Sequence, residues 1–252
     1  MAERTASAEK LVILAMAGAA AFWTTAMPVA SANAQSAARS LAQQRPPIAE
    51  KMAKTFGLNS FGEVEGIRYT FNVEHPGGDV SRTWEWNPKT DTVSYEGKGE
   101  DGNPVKVTYK RSQPGMPEEI DASFLNDQYW LLLPFHVIWD TNATVIDEGI
   151  QKLPLGNEAG EKLVVKYPSR GGYSPGDTWD VYVDAEGRLQ EFVYHRGEKP
   201  RTVIAPWTDY KKAGPLLFSL DHQGKDGDKP LHVFFSNVSV KMTGSESWVD
   251  AQ

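Results

Sequence analysis

Gly172-Tyr173-Ser174-Pro175-Gly176 has the spacing of the G-x-S-x-G elbow that exposes a serine nucleophile in hydrolases. In that elbow the residue after the serine donates its backbone N–H to an oxyanion, and the turn runs into a helix. Pro175 has no N–H, and the following Thr178 to Val183 alternates like a strand. The pentapeptide therefore reads as a hairpin turn and not as a nucleophile.

The five histidines, His75, His136, His195, His222 and His232, form no pair at a helical ligand spacing. Asp221-His222, with Asp226 and Asp228, has the residue types of a metal site. Yet the tract His222 to Lys229 lacks the ordered ligand spacing of a calcium loop and reads as a solvated, Gly/Asp-rich loop. No glycine-rich phosphate cradle follows an expected strand. The chain has no cysteine, which removes thiolate chemistry, disulfides and a lipid-modified N-terminal cysteine. Its formal charge of −7, with no Lys/Arg run, disfavours nucleic acid as a partner. These residues predict no enzyme, no metal and no cofactor.

Aromatic residues are the other candidates, with 8 Trp, 9 Tyr and 10 Phe. Large rings fill β cores in any case. A curved sheet lined by Tyr69, Phe71, Trp84, Trp86, Trp179 and Phe192 would instead enclose an apolar ligand, so both readings stand at this point.

The elements that position these rings follow from periodicity. Pro47 to Phe56 carries Ile48, Met52 and Phe56 four apart and ends at Gly57, which predicts a short amphipathic helix. Ile67, Tyr69, Phe71 and Val73 alternate with polar residues, as a half-buried strand does. Arg82 to Trp86 and Thr92 to Tyr95 flank the turn formers Asn87 to Asp91 and predict a hairpin. Further strands are expected at Val105 to Arg111, Lys162 to Tyr167, Thr178 to Val183, Leu189 to Tyr194, Thr202 to Trp207 and Leu231 to Val240. The total is eight or nine. A central helix beginning near Pro117 should stop by Leu133, because Pro134 cannot continue it.

The N-terminus reads as an export signal. A polar start, an apolar Leu11 to Trp23 and the small residues of Ala32-Asn33-Ala34 predict cleavage after Ala34, a flexible leader over 35–46 and a single domain over 47–252. The apolar run is short for a bilayer span, so no stable membrane insertion is expected after cleavage.

Four segments carry a family resemblance: Pro47 to Phe56, Phe124-Leu125-Asn126-Asp127-Gln128-Tyr129-Trp130-Leu131-Leu132-Leu133-Pro134-Phe135, Asp177 to Asp184, and Trp207-Thr208-Asp209-Tyr210-Lys211. Their order resembles the periplasmic lipoprotein-carrier superfamily, the fold shared by LolA, LolB and the lipid-binding domain of RseB. It is also similar to uncharacterised outer-membrane lipoprotein-sorting proteins. The resemblance implies a mainly β protein, with a strongly curved antiparallel sheet forming an incomplete, half-open barrel covered by helices. It implies a periplasmic, non-enzymatic carrier that holds a lipid or an acylated lipoprotein. Tyr69, Phe71, Trp84, Trp86, Phe124, Trp130, Phe135, Trp179 and Phe192 are then its cavity and lid candidates, and the block around Trp130 its lid or hinge. The alternative on the same fold is a module that meets another envelope protein and carries no lipid.

Overall fold

The computed structural model describes residues 45–99, 101–170, 174–197 and 201–252. The export signal and most of the leader lie outside them, as do Gly172 and Tyr173.

Two helices and a 3₁₀ turn accompany thirteen strands among the described residues. Helix α1 is Pro47–Thr55, with the proline at its first position and Ile48, Ala49, Met52 and Ala53 buried. Gly57 follows at φ +105, and a Cβ there would lie 2.5 Å from the Pro215 carbonyl oxygen, so only glycine fits this helix exit. The 3₁₀ turn is Leu58–Glu63.

Strands β1 (Val64–Glu74), β2 (Val80–Asn87), β3 (Thr92–Lys98) and β4 (Pro104–Lys110) form an antiparallel meander. Helix α2 (Glu118–Trp139) separates it from β5 (Thr144–Lys152), β6 (Ala159–Lys166), β7 (Thr178–Val183), β8 (Leu189–His195) and β9 (Thr202–Pro206). The chain ends in β10 (Thr208–Ala213), β11 (Leu216–Asp226), β12 (Lys229–Met242) and β13 (Trp248–Asp250). The main order across the sheet is β4-β3-β2-β1-β12-β11-β9-β8-β7-β6-β5. Strand β10 adds to β11 and β13 to β12, and every pairing is antiparallel.

The sheet must curl, and the contacts of α2 require it. Trp84 on β2 touches Phe124, while Phe192 on β8 touches Trp130. In a flat sheet, β2 and β8 would be about 24 Å apart at the usual strand spacing, whereas six helical residues advance only about 9 Å. One helix reaches both because the sheet wraps around it. The wrap stays open, since β4 and β5 end the order without pairing to each other. The protein is thus mainly β, with a curved antiparallel sheet not closed into a barrel.

Three expectations are corrected. Helix α2 passes Leu133 and continues to Trp139, because it kinks at Leu132 (φ −118°, ψ 18°). That break puts Pro134 in the first turn of a second helical segment, where a missing N–H costs nothing. The described residues form thirteen strands and not eight or nine, since β5, β10, β11 and β13 have weak or mixed alternation. The tract His222 to Lys229 is not a loop but the end of β11, a turn and the start of β12. Its Gly224 supports the strand by closeness, because a Cβ there would lie 2.0 Å from the Ile204 carbonyl oxygen on neighbouring β9.

Candidate functional site

The sheet's inner face is built in cross-strand rows. Tyr69, Trp84 and Tyr95 form one row, while Ile67, Trp86 and Val93 form the next. On the other wall, Val165, Trp179, Tyr194 and Val203 make a row beside Val181, Phe192 and Ala205. Period-two alternation places all of these on one face, which is why the sequence could nominate Tyr69, Trp84, Trp86, Trp179 and Phe192 among them.

Helix α2 fills the space between the walls. Phe124 sits edge-on to Trp84 and Trp86, with centroids 5.4 and 6.0 Å away. Trp130 meets Phe192 at 5.2 Å, and Phe192 meets Trp179 at 5.2 Å. Phe71 packs on Phe235 at 5.6 Å. Phe135 is placed apart from these sheet rings, against Phe61 of the 3₁₀ turn and Trp139. Of the nine candidates, all but Trp130 are buried.

Two ion pairs tie the first half of α2 to the first wall. The Asp127 carboxylate, fully buried, accepts from Arg82 Nε at 2.7 Å and Nη2 at 2.6 Å, and from the Trp84 indole at 2.8 Å. The Asp121 carboxylate accepts from Arg111 Nε at 2.7 Å and the Tyr109 hydroxyl at 3.1 Å. Burial lowers the Arg82 pKa, but the charge of Asp127 and its hydrogen bonds outweigh that and leave it raised.

A second network bridges the kink, joining Gln128 and Tyr129 before it to His136 and Asp140 beyond it. Asp140 accepts from the hydroxyls of Tyr129 and Tyr167, the latter at 2.7 Å, and lies 3.3 Å from His136 Nδ1. His136 Nε2 lies 3.2 Å from Gln128 Oε1, and Arg45 donates to the Asp140 and Ala143 carbonyls. Burial drives the Asp140 pKa up, yet the His136 contact and the two phenols bring it below its ordinary value. Burial and Asp140 raise both phenols. This network is spent on anchoring the helix end to Tyr167, just after β6, and to Arg45.

Trp130, between these anchors, is held to the second wall by ring contacts. It approaches Phe192 and, at 5.9 Å, His222 on β11. His222 is fully buried, and Trp207 lies 5.1 Å from it, one step beyond the register pair Thr208 and Asp221. Several buried polar atoms in this interior have no protein partner: Tyr69 Oη, Trp86 Nε1, Gln128 Nε2, Trp179 Nε1, Trp207 Nε1 and His222 Nε2. Each would cost about 1–3 kcal/mol if left dry.

Sequence reasoning missed the ion pairs and the His222 cluster. Arg82 shares the inward parity of Trp84 and Trp86, a usable signal of a buried charge with a partner. Nothing comparable pointed to His222, which stood in a tract read as a loop.

The His222 pKa is pushed down to about 4, chiefly by burial and against the pull of the Pro206 carbonyl and Asp221, with His232 adding to the depression. The unfolded chain, at 6.5, binds this proton first as the pH falls. Relative to His222→Phe, the native chain should therefore lose about 3 kcal/mol of stability between pH 7 and pH 4. Urea unfolding of both chains at the two pH values measures this difference. His232 acts oppositely: its pKa is raised, with burial opposed by hydrogen bonds to Glu74 and Asp221. Its stabilisation is present below 6.5 and lost as the pH rises through the folded value, and the subtraction cancels it.

The motif serine lies in a turn, with the Asp177 N–H donating to the Ser174 carbonyl and Gly176 at φ +78. Among the described residues, no group of three or more His, Asp or Glu could hold a metal, and no helix is long and apolar enough to cross a membrane. An open cleft of about 670 Å³ lies at the sheet rim beside Glu74, His75, Asp79 and His232.

Fold and site together define an open, curved antiparallel sheet wrapped around a kinked, aromatic helix. No family model and no curated protein matches the sequence. Among solved structures, the chain is similar to a DUF1329 family protein from Desulfovibrio piger, at TM-score 0.45 and 9% identity over 79% of this chain and 92% of that one. It is also similar to a LolA superfamily protein from Nitrosomonas europaea, at TM-score 0.45 and 7% identity over 77% and 93% of the two chains. A third similar structure is the Mycobacterium tuberculosis lipoprotein LppX, at TM-score 0.28 and 10% identity over 77% and 96%.

Proposed function

We propose that this protein is a non-enzymatic periplasmic carrier for an apolar ligand, a lipid or an acylated lipoprotein, exported with cleavage after Ala34. The supporting observation is the uneven hold on α2. Buried ion pairs fasten its first half to β2 and the segment after β4, and the Asp140 network fastens its end. Around Trp130, ring packing faces the second wall and the buried polar atoms there lack partners. The ligand enters by parting Trp130 from Phe192, with the Leu132 kink as the hinge, and lies along the aromatic rows. Each acyl CH₂ taken from water contributes about 0.8 kcal/mol, enough to hold a lipid without any catalytic group.

Native mass spectrometry of protein released gently from periplasm tests this. The expected spectrum carries an added lipid mass that organic extraction removes. A bare polypeptide mass, with no saturable change in tryptophan fluorescence on titration with palmitic acid or lysophospholipid, would sink the proposal.

A further inference from the structure

The interior beside Trp130 is not uniformly apolar, and its polar atoms are specific about what they accept. His222 Nδ1 lies 3.1 Å from the Pro206 carbonyl oxygen. A carbonyl only accepts, so Nδ1 carries the hydrogen and Nε2 presents a lone pair. That Nε2 is buried and without a partner. Trp207, whose ring centroid is 5.1 Å away, has a buried indole N–H that is also unpartnered and can only donate. Phe235 stands 5.9 Å from His222 and 5.8 Å from Tyr69, whose buried hydroxyl is unpartnered too. Trp130 closes the group from the helix side.

The fold makes this cluster deliberately local. Val73, Val233 and His222 occupy one row across β1, β12 and β11, so the imidazole takes a place in a row whose other two members are valines. Trp207 lies where the β9 pairing along β11 gives way to that of β10. It is also edge-on to Phe56 beyond the end of α1.

We infer that His222 and Trp207 form a polar pole for a free hydroxyl on an otherwise apolar ligand, such as a long-chain alcohol or a monoacylglycerol. A hydroxyl is a small neutral group that both gives a hydrogen to Nε2 and takes one from the indole. An ester or ether only accepts and leaves Nε2 bare. A carboxylate only accepts and also brings a charge into a desolvated site. An ammonium only donates. This inference rests on the carrier reading above and narrows its ligand class.

The test uses the mature chain, labelled with ¹⁵N at histidine, and three probes of equal chain length: hexadecan-1-ol, 1-methoxyhexadecane and hexadecane. The alcohol should bind about tenfold more tightly than its methyl ether, and the His222 Nε2 resonance should move with the alcohol alone. His222→Phe should bring the alcohol to the ether's affinity and leave the ether unchanged. Trp207→Phe should cause a smaller loss in the same direction. If either variant fails to fold, the alcohol-to-ether ratio and the Nε2 signal of the native chain decide. Equal binding of alcohol and ether would overturn the hydroxyl pole while leaving a carrier of apolar chains. An Nε2 resonance that reports hydrogen bonding to a structural water only, unmoved by the alcohol, would overturn it as well. If none of the three probes binds, the carrier reading falls and the pole falls with it.

Discussion

Arg82→Ala should lower the stability of the protein by about 3–5 kcal/mol, because it leaves the Asp127 carboxylate charged and unpaired inside the core. The Arg82 fork closes on a carboxylate that has no exposure of its own, and the Trp84 indole supplies a third hydrogen bond to it. The midpoint of urea unfolding reads the loss directly. Replacing both partners, with Arg82→Met and Asp127→Leu, should recover part of it, since an apolar pair incurs no desolvation cost while the buried Trp84 indole loses its acceptor. The double variant also bears on function. If the ion pair fixes the first half of α2 while Trp130 moves, the double variant should fold well and yet bind palmitic acid with altered affinity.

Phe124→Ala should cost about 3–5 kcal/mol as well, by a different route. Phe124 is fully buried, edge-on to both Trp84 and Trp86, with the Arg111 guanidinium 5.5 Å from its ring centre. Its removal deletes apolar area and opens a hole between helix and sheet that two tryptophans are too rigid to fill. Thermal unfolding measures the cost, and benzene binding by the variant, absent in the native chain, would report the hole. A loss under about 1 kcal/mol would mean that Phe124 stands beside space already shared with a ligand.

Much of the sheet was legible because nine of its strands carry a recognisable period of two. Tyr69, Phe71, Trp84 and Trp86 could be assigned to one face from spacing alone, and they occupy it. The turn formers Asn87 to Asp91 also do what their chemistry requires. The Asn87 side-chain oxygen accepts from the Lys89 and Thr90 N–H groups, and Asp91 takes φ +54.

What sequence could not supply was the partner of each buried polar group. Asp121 and Asp127 look like the solvated side of a helix until the sheet curls around them and brings up Arg111 and Arg82. That curl is a long-range property of strand order, and the β1–β12 pairing that joins the two walls spans most of the described chain. His222 was hidden for a related reason. Gly224, Asp226 and Gly227 gave its tract the composition of a loop, whereas the Gly224 position needs glycine because β9 passes so close. A composition that usually marks a turn here marks tight strand packing. The kink hid behind Pro134, which reads as a stop when the break two residues earlier is not known.

An open sheet ends in two rows of peptide groups that could template the addition of other chains. Here each rim refuses a newcomer in its own way. Strand β4 begins with Pro104 and turns Lys106 and Lys110 outward, so an approaching strand would meet a missing donor and two ammonium groups. Strand β5 slips register between Asp147 and Ile150, with Gly149 at φ +72, so its edge is bent and acidic. The wall can therefore stay unclosed without becoming the seed of a fibre.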